Sequence, residues 1–136
     1  MRVVLDTNIL IASLIARGGT TGRIVRALVR HGYRLVTCDE QIDELRCCFG
    51  RPALVPARIQ RHEAGRLINQ LRDAAVFVGD LPVVARSPDP FDNFLLALAE
   101  AGSADFLVTG DKAGLLDLKS HGRTRTVTAG AFARVL

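Results

Sequence analysis

Short apolar runs alternate with amphipathic stretches along the whole of this chain. The runs predict strands at residues 2–5, 34–37, 75–78, 105–109 and 125–128. Between them, helical spacing predicts helices at 9–15, 21–31, 39–49, 56–72, 91–102, 112–117 and 129–135. Strands that are apolar throughout, separated by helices, argue for a parallel sheet covered on both faces. The clearest helix is 21–31, with Ile24, Val25, Leu28 and Val29 on one face and Arg23, Arg26 and Arg30 on the other. Gly32 is the expected stop. Thr37 followed by Glu40 forms a capping-box pattern for the next helix, and Asp89-Pro90 reads as N-cap plus first-turn proline for the helix at 91–102.

At 136 residues the chain is expected to form one domain, residues 1–136, with a real core. Nearly half of it, 49%, is hydrophobic, which excludes a disordered chain. The longest largely apolar run, Ile9 to Ala16, is far shorter than the ~20 residues that span a bilayer. Asp6 interrupts any signal-peptide pattern, so a cytoplasmic protein with no membrane segment is expected. Cys38, Cys47 and Cys48 have no zinc-ligand spacing and read as reduced thiols, with Cys47 or Cys48 in the core. The net charge of +4 biases the surface mildly towards polyanions. Of the 18 basic residues only Lys112 and Lys119 are lysines, and arginine grips phosphate bidentately. Codon usage in a G- and C-rich genome gives the same excess, so it decides little.

Four acids stand out by position. Asp6 ends the run Val3-Val4-Leu5, and Asp111 follows Phe106-Leu107-Val108-Thr109-Gly110. Glu44 falls in the first turns of the helix after the second strand, and Asp92 in the first turn of the helix at 91–102. All four therefore belong to the rim formed by the carboxyl ends of the strands, where open α/β sheets bind ligands. Converging carboxylate oxygens suit a hard cation, Mg²⁺ or Mn²⁺. Asp105 starts its strand and is expected at the opposite rim. Each acid also has a plainer reading: Asp92 as a first-turn acid favoured by the helix dipole, Glu44 as a solvated helix acid, Asp89 as a cap. Asp6 is harder to explain so, because a carboxylate beside the core is costly unless paired or metal-bound. Asn8 and Thr109 read as caps or turn formers, or as residues that orient those carboxylates.

These residues resemble the PIN domains, and within them the bacterial toxins of toxin–antitoxin systems. The opening Val3-Val4-Leu5-Asp6-Thr7-Asn8-Ile9-Leu10 is similar to that family's first strand, acid and helix. Glu44-Leu45-Arg46, then Arg51-Pro52, is similar to its Glu-Leu motif. Asp89-Pro90-Phe91-Asp92-Asn93 resembles its third acidic motif, and Asp105 to Lys112 its fourth. The resemblance implies a three-layer α/β/α sandwich, a Rossmann-like parallel five-stranded sheet of order 3-2-1-4-5. It also implies a Mg²⁺- or Mn²⁺-dependent ribonuclease whose metal-binding and catalytic acids are Asp6, Glu44, Asp92 and Asp111. Asn8, Thr109 and Asp89 would support them. Two departures weaken any outer metal position: Ala113 and Asn93 stand where relatives often carry further acids.

A bound cation would polarise the phosphoryl oxygen and activate water for in-line attack, leaving a 5′-phosphate and a 3′-hydroxyl. The expected partners are an RNA substrate, a small antitoxin protein and a second copy of the chain in a homodimer. Arg17, Arg23, Arg26 and Arg30 are candidate RNA contacts, with Arg58, Arg61 and His62 as a further patch. At 5% aromatic residues, phosphate contacts are expected rather than base stacking. His31, His62 and His121 read as isolated, solvated side chains. Gly18 to Gly22 lacks the lysine of a phosphate-binding P-loop and reads as a flexible turn. Two other functions remain open. A haloacid-dehalogenase-type phosphatase would also place an Asp after the first strand, yet would want an acid where Asn8 stands. A degenerate PIN domain would bind RNA or protein without cleaving.

Overall fold

A computed structural model of the chain describes residues 1–51, 59–110 and 114–136. Its strands are β1 (Arg2–Leu5), β2 (Arg34–Thr37), β3 (Ala75–Phe77), β4 (Phe106–Thr109), β5 (Ser120–His121) and β6 (Thr124–Thr128). The helices are α1 (Thr7–Ile15), α2 (Thr20–Val29), α3 (Asp39–Phe49), α4 (Arg61–Ala74), α5 (Pro90–Ala101), α6 (Leu115–Leu118) and α7 (Ala129–Ala133). The expected strands fall in place, and element ends shift by a few residues. The parts of the expected helices at 56–58 and 112–113 lie outside the described residues.

The strand order is β3-β2-β1-β4-β6-β5. Its first five members pair in parallel, in the order expected from the resemblance. The sixth, β5, was not expected: it runs antiparallel to β6, with His121 opposite Thr124. Gly122, at φ 58°, supplies the left-handed backbone that opens this two-residue turn.

Alternation along each strand builds the layers. Val3 and Leu5 of β1 join Leu35 and Val108 in one core with side chains of α1, α2, α3, α4 and α7. Val4, Val36 and Leu107 face the other way, into a second core with α5 and Leu115 of α6. Covering both faces explains why β1 reads as apolar without alternation: Val3, Val4 and Leu5 are all fully buried. The result is the α/β/α sandwich.

Four local expectations are corrected. Helix α2 ends at Val29, and His31, at φ 61°, takes the left-handed position expected of Gly32. The amides of His31 and Gly32 donate to the carbonyls of Leu28 and Ala27, at 2.9 and 2.8 Å, closing the helix end. Val29 is 43% exposed and not part of the stripe. At about 100° per residue it lies roughly 90° from the centre set by Ile24, Val25 and Leu28. The capping box at Thr37 does not form either: Thr37 pairs with Phe77 in the sheet, and Cys38 is the N-cap of α3. Finally, Thr20, Thr21 and Gly22 are the first turn of α2 and not a flexible turn. A Cβ at Gly22 would collide with the Arg17 carbonyl oxygen, so this glycine permits a close approach of α2 to the preceding loop.

Candidate active site

The site grows from the register of β1 and β4. Leu5 pairs with Val108, so Asp6 and Thr109 follow side by side at the strand ends. The Asp6 amide donates to the Val108 carbonyl at 2.9 Å, which extends the pairing by one step. Asp6 then caps α1, its Oδ1 accepting from the Asn8 amide at 3.2 Å. Its Oδ2 accepts from the Thr109 hydroxyl at 2.9 Å. Asp6 is 6% exposed and Thr109 fully buried, so the carboxylate is held at the bottom of the rim by both elements. Asn8 contributes its backbone to this arrangement, while its residue is exposed.

Asp92 is the second buried acid, also 6% exposed. Asp89 caps α5 as expected, accepting from the Phe91 amide at 2.9 Å, with Pro90 in the first turn. That fixes the helix start, and Asp92 Oδ2 accepts from the Ser87 hydroxyl at 3.0 Å. Since α5 leads into β4, its first turn belongs to the rim that carries Asp6. Glu44 behaves differently. It is exposed on α3, whose buried face is Gln41, Ile42, Leu45 and Cys48, and it accepts a weak bond from the Cys48 thiol at 3.6 Å. Asp111 and Ala113 lie outside the described residues, as does Arg58. Among the described residues, no three His, Cys, Asp or Glu side chains come together as a metal site.

The donor set is nonetheless chemically uniform. Asp6 and Asp92 offer carboxylate oxygens steered by hydroxyl groups, the chemistry that a hard cation such as Mg²⁺ or Mn²⁺ takes. The two buried cysteines do not compete as nucleophiles. Cys38, Cys47 and Cys48 are free, as expected, with Cys48 buried and Cys47 exposed. Burial pushes the Cys38 thiol up to about 11 and raises Cys48 as well, with Glu44 adding to the second shift. Neither thiol ionises readily at neutral pH.

Two residues beside the acids gave no signal in the sequence. Gln41 is 1% exposed and donates to the Leu5 carbonyl at 2.7 Å, tying the start of α3 to the end of β1. Its Oε1 accepts from the Thr37 hydroxyl. Ser87 is the other. His121 is likewise not the solvated side chain expected. Its Nδ1 lies 3.1 Å from the Arg86 guanidinium and its Nε2 3.0 Å from Glu100 Oε2, which braces β5. Asp105 sits at the opposite rim as expected, accepting from the Arg2 amide at 2.9 Å and from Arg123 at 2.8 Å.

Arg17, Arg23, Arg26 and Arg30 are all exposed. Arg17 pairs with Glu63, and both Arg17 and Arg26 line a cavity of about 280 Å³ with His62 and Arg66. Arg23, Arg26 and Arg30 border a groove of about 540 Å³ together with Met1 and Gly32. Met1 and Gly32 precede β1 and β2, so this groove opens at the rim opposite Asp6. A strand of four residues, ~13 Å, separates the two.

Comparison with known proteins decides the family. The family model described as PIN domain matches residues 2–113. The chain belongs to the PIN-domain family. No curated protein and no solved structure matches it. PIN domains are a nuclease-type family, in general hydrolases that use divalent metals. The matched stretch of this PIN domain includes β1, Asp6, Glu44, Asp92 and Asp111. No described helix is long and apolar enough to cross a membrane.

Proposed function

We propose that this PIN domain is a cytoplasmic Mg²⁺- or Mn²⁺-dependent endoribonuclease, acting as the toxin of a toxin–antitoxin pair. The observation that carries the reading is the pair of buried carboxylates, Asp6 and Asp92. Each is steered by a hydroxyl, at 2.9 Å from Thr109 and 3.0 Å from Ser87. Burying a carboxylate is costly, and two at one rim invite a counter-ion.

In this reading Asp6, Asp92, Glu44 and Asp111 hold the ion. A cation bound there would supply Lewis-acid polarisation of the scissile phosphate and make water a better nucleophile. The protein's own groups do the placing. Thr109 holds Asp6 Oδ2 and Ser87 holds Asp92 Oδ2, so neither carboxylate has to be reoriented as substrate arrives. Glu44, exposed on α3, would join them from the solvent side. The arginines of α2 would engage the backbone of an RNA long enough to pass along the molecule to the opposite rim. The partners proposed with this activity are a small antitoxin protein and a second copy of the chain.

The deciding experiment is cleavage of structured RNAs with Mn²⁺ and with EDTA, run beside Asp6→Asn. Asparagine is itself a good N-cap, so the variant keeps α1 capped while losing the charge. Cleavage should be metal-dependent and abolished in Asp6→Asn, with the fold intact. Equal specific activity of the two proteins would exclude the reading.

A further inference from the structure

The segment before α5 is tied down by a side-chain amide. Asn93 Oδ1 accepts from the backbone amides of Arg86 and Ser87, at 3.0 and 2.9 Å. Its Nδ2 donates to the Ser87 carbonyl at 2.8 Å. Both ends of the amide are used, so no carboxylate could replace it: an aspartate would set an oxygen against the Ser87 carbonyl with no proton between them. The segment is held from a second side as well. The Arg86 guanidinium donates to the Ser120 carbonyl at 2.8 Å, on β5.

Ser87, fixed this way, has a hydroxyl with little choice of direction. The Asp89 amide donates to its oxygen at 3.2 Å, which leaves the hydroxyl proton for Asp92 Oδ2 at 3.0 Å. A hydrogen bond to one oxygen of a carboxylate sets the rotation of the whole group, and hence where the other oxygen points. Asp92 also sits on a helix start whose cap, Asp89, touches the same hydroxyl through its backbone. The positions of helix, cap and carboxylate are therefore coupled through Ser87.

We propose that Ser87, pinned by the Asn93 amide, is a positioning residue that presents Asp92 in the orientation a divalent cation requires. This rests on the reading of Asp92 as a metal ligand. It makes Asn93 part of the site's support, with its amide nitrogen as the needed group.

The test uses the full chain, Mn²⁺ alone as probe, and the variants Ser87→Ala, Ser87→Thr and Asn93→Asp. Mn²⁺ affinity would be measured by titration followed by the electron paramagnetic resonance of the free ion. Amide hydrogen exchange at Arg86 and Ser87 would be measured in EDTA. Removing such an outer partner typically costs ~10-fold or more in metal affinity. Ser87→Ala should therefore bind Mn²⁺ about 10-fold more weakly, while Ser87→Thr, which keeps the hydroxyl, should bind close to wild type. Asn93→Asp should show faster exchange at both amides and the same loss of Mn²⁺ affinity. If wild type binds Mn²⁺ and Ser87→Ala binds it equally well, the positioning role is wrong while the ribonuclease reading stands. If Asn93→Asp leaves exchange and affinity unchanged, the amide is not the pin. If wild type itself fails to bind Mn²⁺, the metal reading fails, and the role of Ser87 falls with it.

Discussion

Thr109 and Asp6 stand 103 residues apart in the chain, and the hydroxyl of one donates to the carboxylate of the other at 2.9 Å. The contact exists because β1 and β4 are parallel neighbours whose last paired residues are Leu5 and Val108. Sheet register thus places a donor beside a buried acid without help from any loop. Asp6 also caps α1, so a single carboxylate joins sheet, helix and site.

Thr109→Val tests this bond directly. Valine matches threonine in shape, and Thr109 is fully buried, so packing should survive while the donor is lost. Leaving a charged acceptor short of a buried donor costs about 1–3 kcal/mol. The expected result is a melting temperature lower by roughly 3–10 °C and metal-dependent cleavage reduced about 10-fold. Thr109→Ser, which keeps the hydroxyl, should recover most of both. Calorimetry together with RNA cleavage on the two variants measures it. A valine variant with wild-type activity would remove Thr109 from the site.

Much of this arrangement is legible in sequence because it depends on short patterns. The runs Val3-Val4-Leu5 and Phe106-Leu107-Val108 mark strands buried on both faces, and the polar residue after each marks the rim. Asp89-Pro90 announces its cap in the same way. What escaped rests on contacts that no period records. Gln41 reaches the Leu5 carbonyl from 36 residues away, and Asn93 pins a segment with no repeating secondary structure. Strand β5 has only two residues, too few for alternation to show, although Gly122 before Arg123 and Thr124 is a turn signal that could have found it. Thr37 failed as a cap because pairing with Phe77 outweighed a local pattern that Glu40 completes only on paper. His31 took the left-handed turn because the helix ended at Val29, three residues before the glycine.

Asp105 carries a pH prediction. The Arg2 amide is the main cause holding its carboxyl below the ordinary carboxylate range, and the Arg123 side chain adds to it. A depressed folded value means the stabilisation is present above the unfolded pKa, ~3.9, and is lost as pH falls through the lower folded value. Asp105→Asn should therefore lower stability at pH 7 by a modest amount, about 1 kcal/mol or less, since the ion pair is partly exposed. The difference from wild type should begin to close near pH 4 and vanish below the folded value. Denaturant melts across pH 2–7 on both proteins measure it. A difference that stays constant down to pH 2 would mean that charge on Asp105 contributes nothing.

Metal linkage offers a test that needs no RNA. A cation that binds the folded chain and not the unfolded one stabilises it by ~2.7 kcal/mol at a concentration a hundredfold above its dissociation constant. For a chain of this length that raises the melting temperature by several degrees, so melts in EDTA, Mg²⁺ and Mn²⁺ should separate clearly. Asp92→Asn removes one of the two carboxylates buried among the described residues and should shrink the metal-induced rise. In EDTA the variant loses an acid from the first turn of α5, where a negative charge is worth ~0.3–1 kcal/mol through the helix dipole. Its starting temperature therefore has to be measured separately, and the difference between EDTA and metal is the quantity to compare. Arg23→Glu is the control: it borders the groove at the far rim, and its metal-induced rise should equal that of wild type. If millimolar Mn²⁺ leaves the wild-type melting temperature unmoved, the carboxylates at the strand ends do not hold a cation.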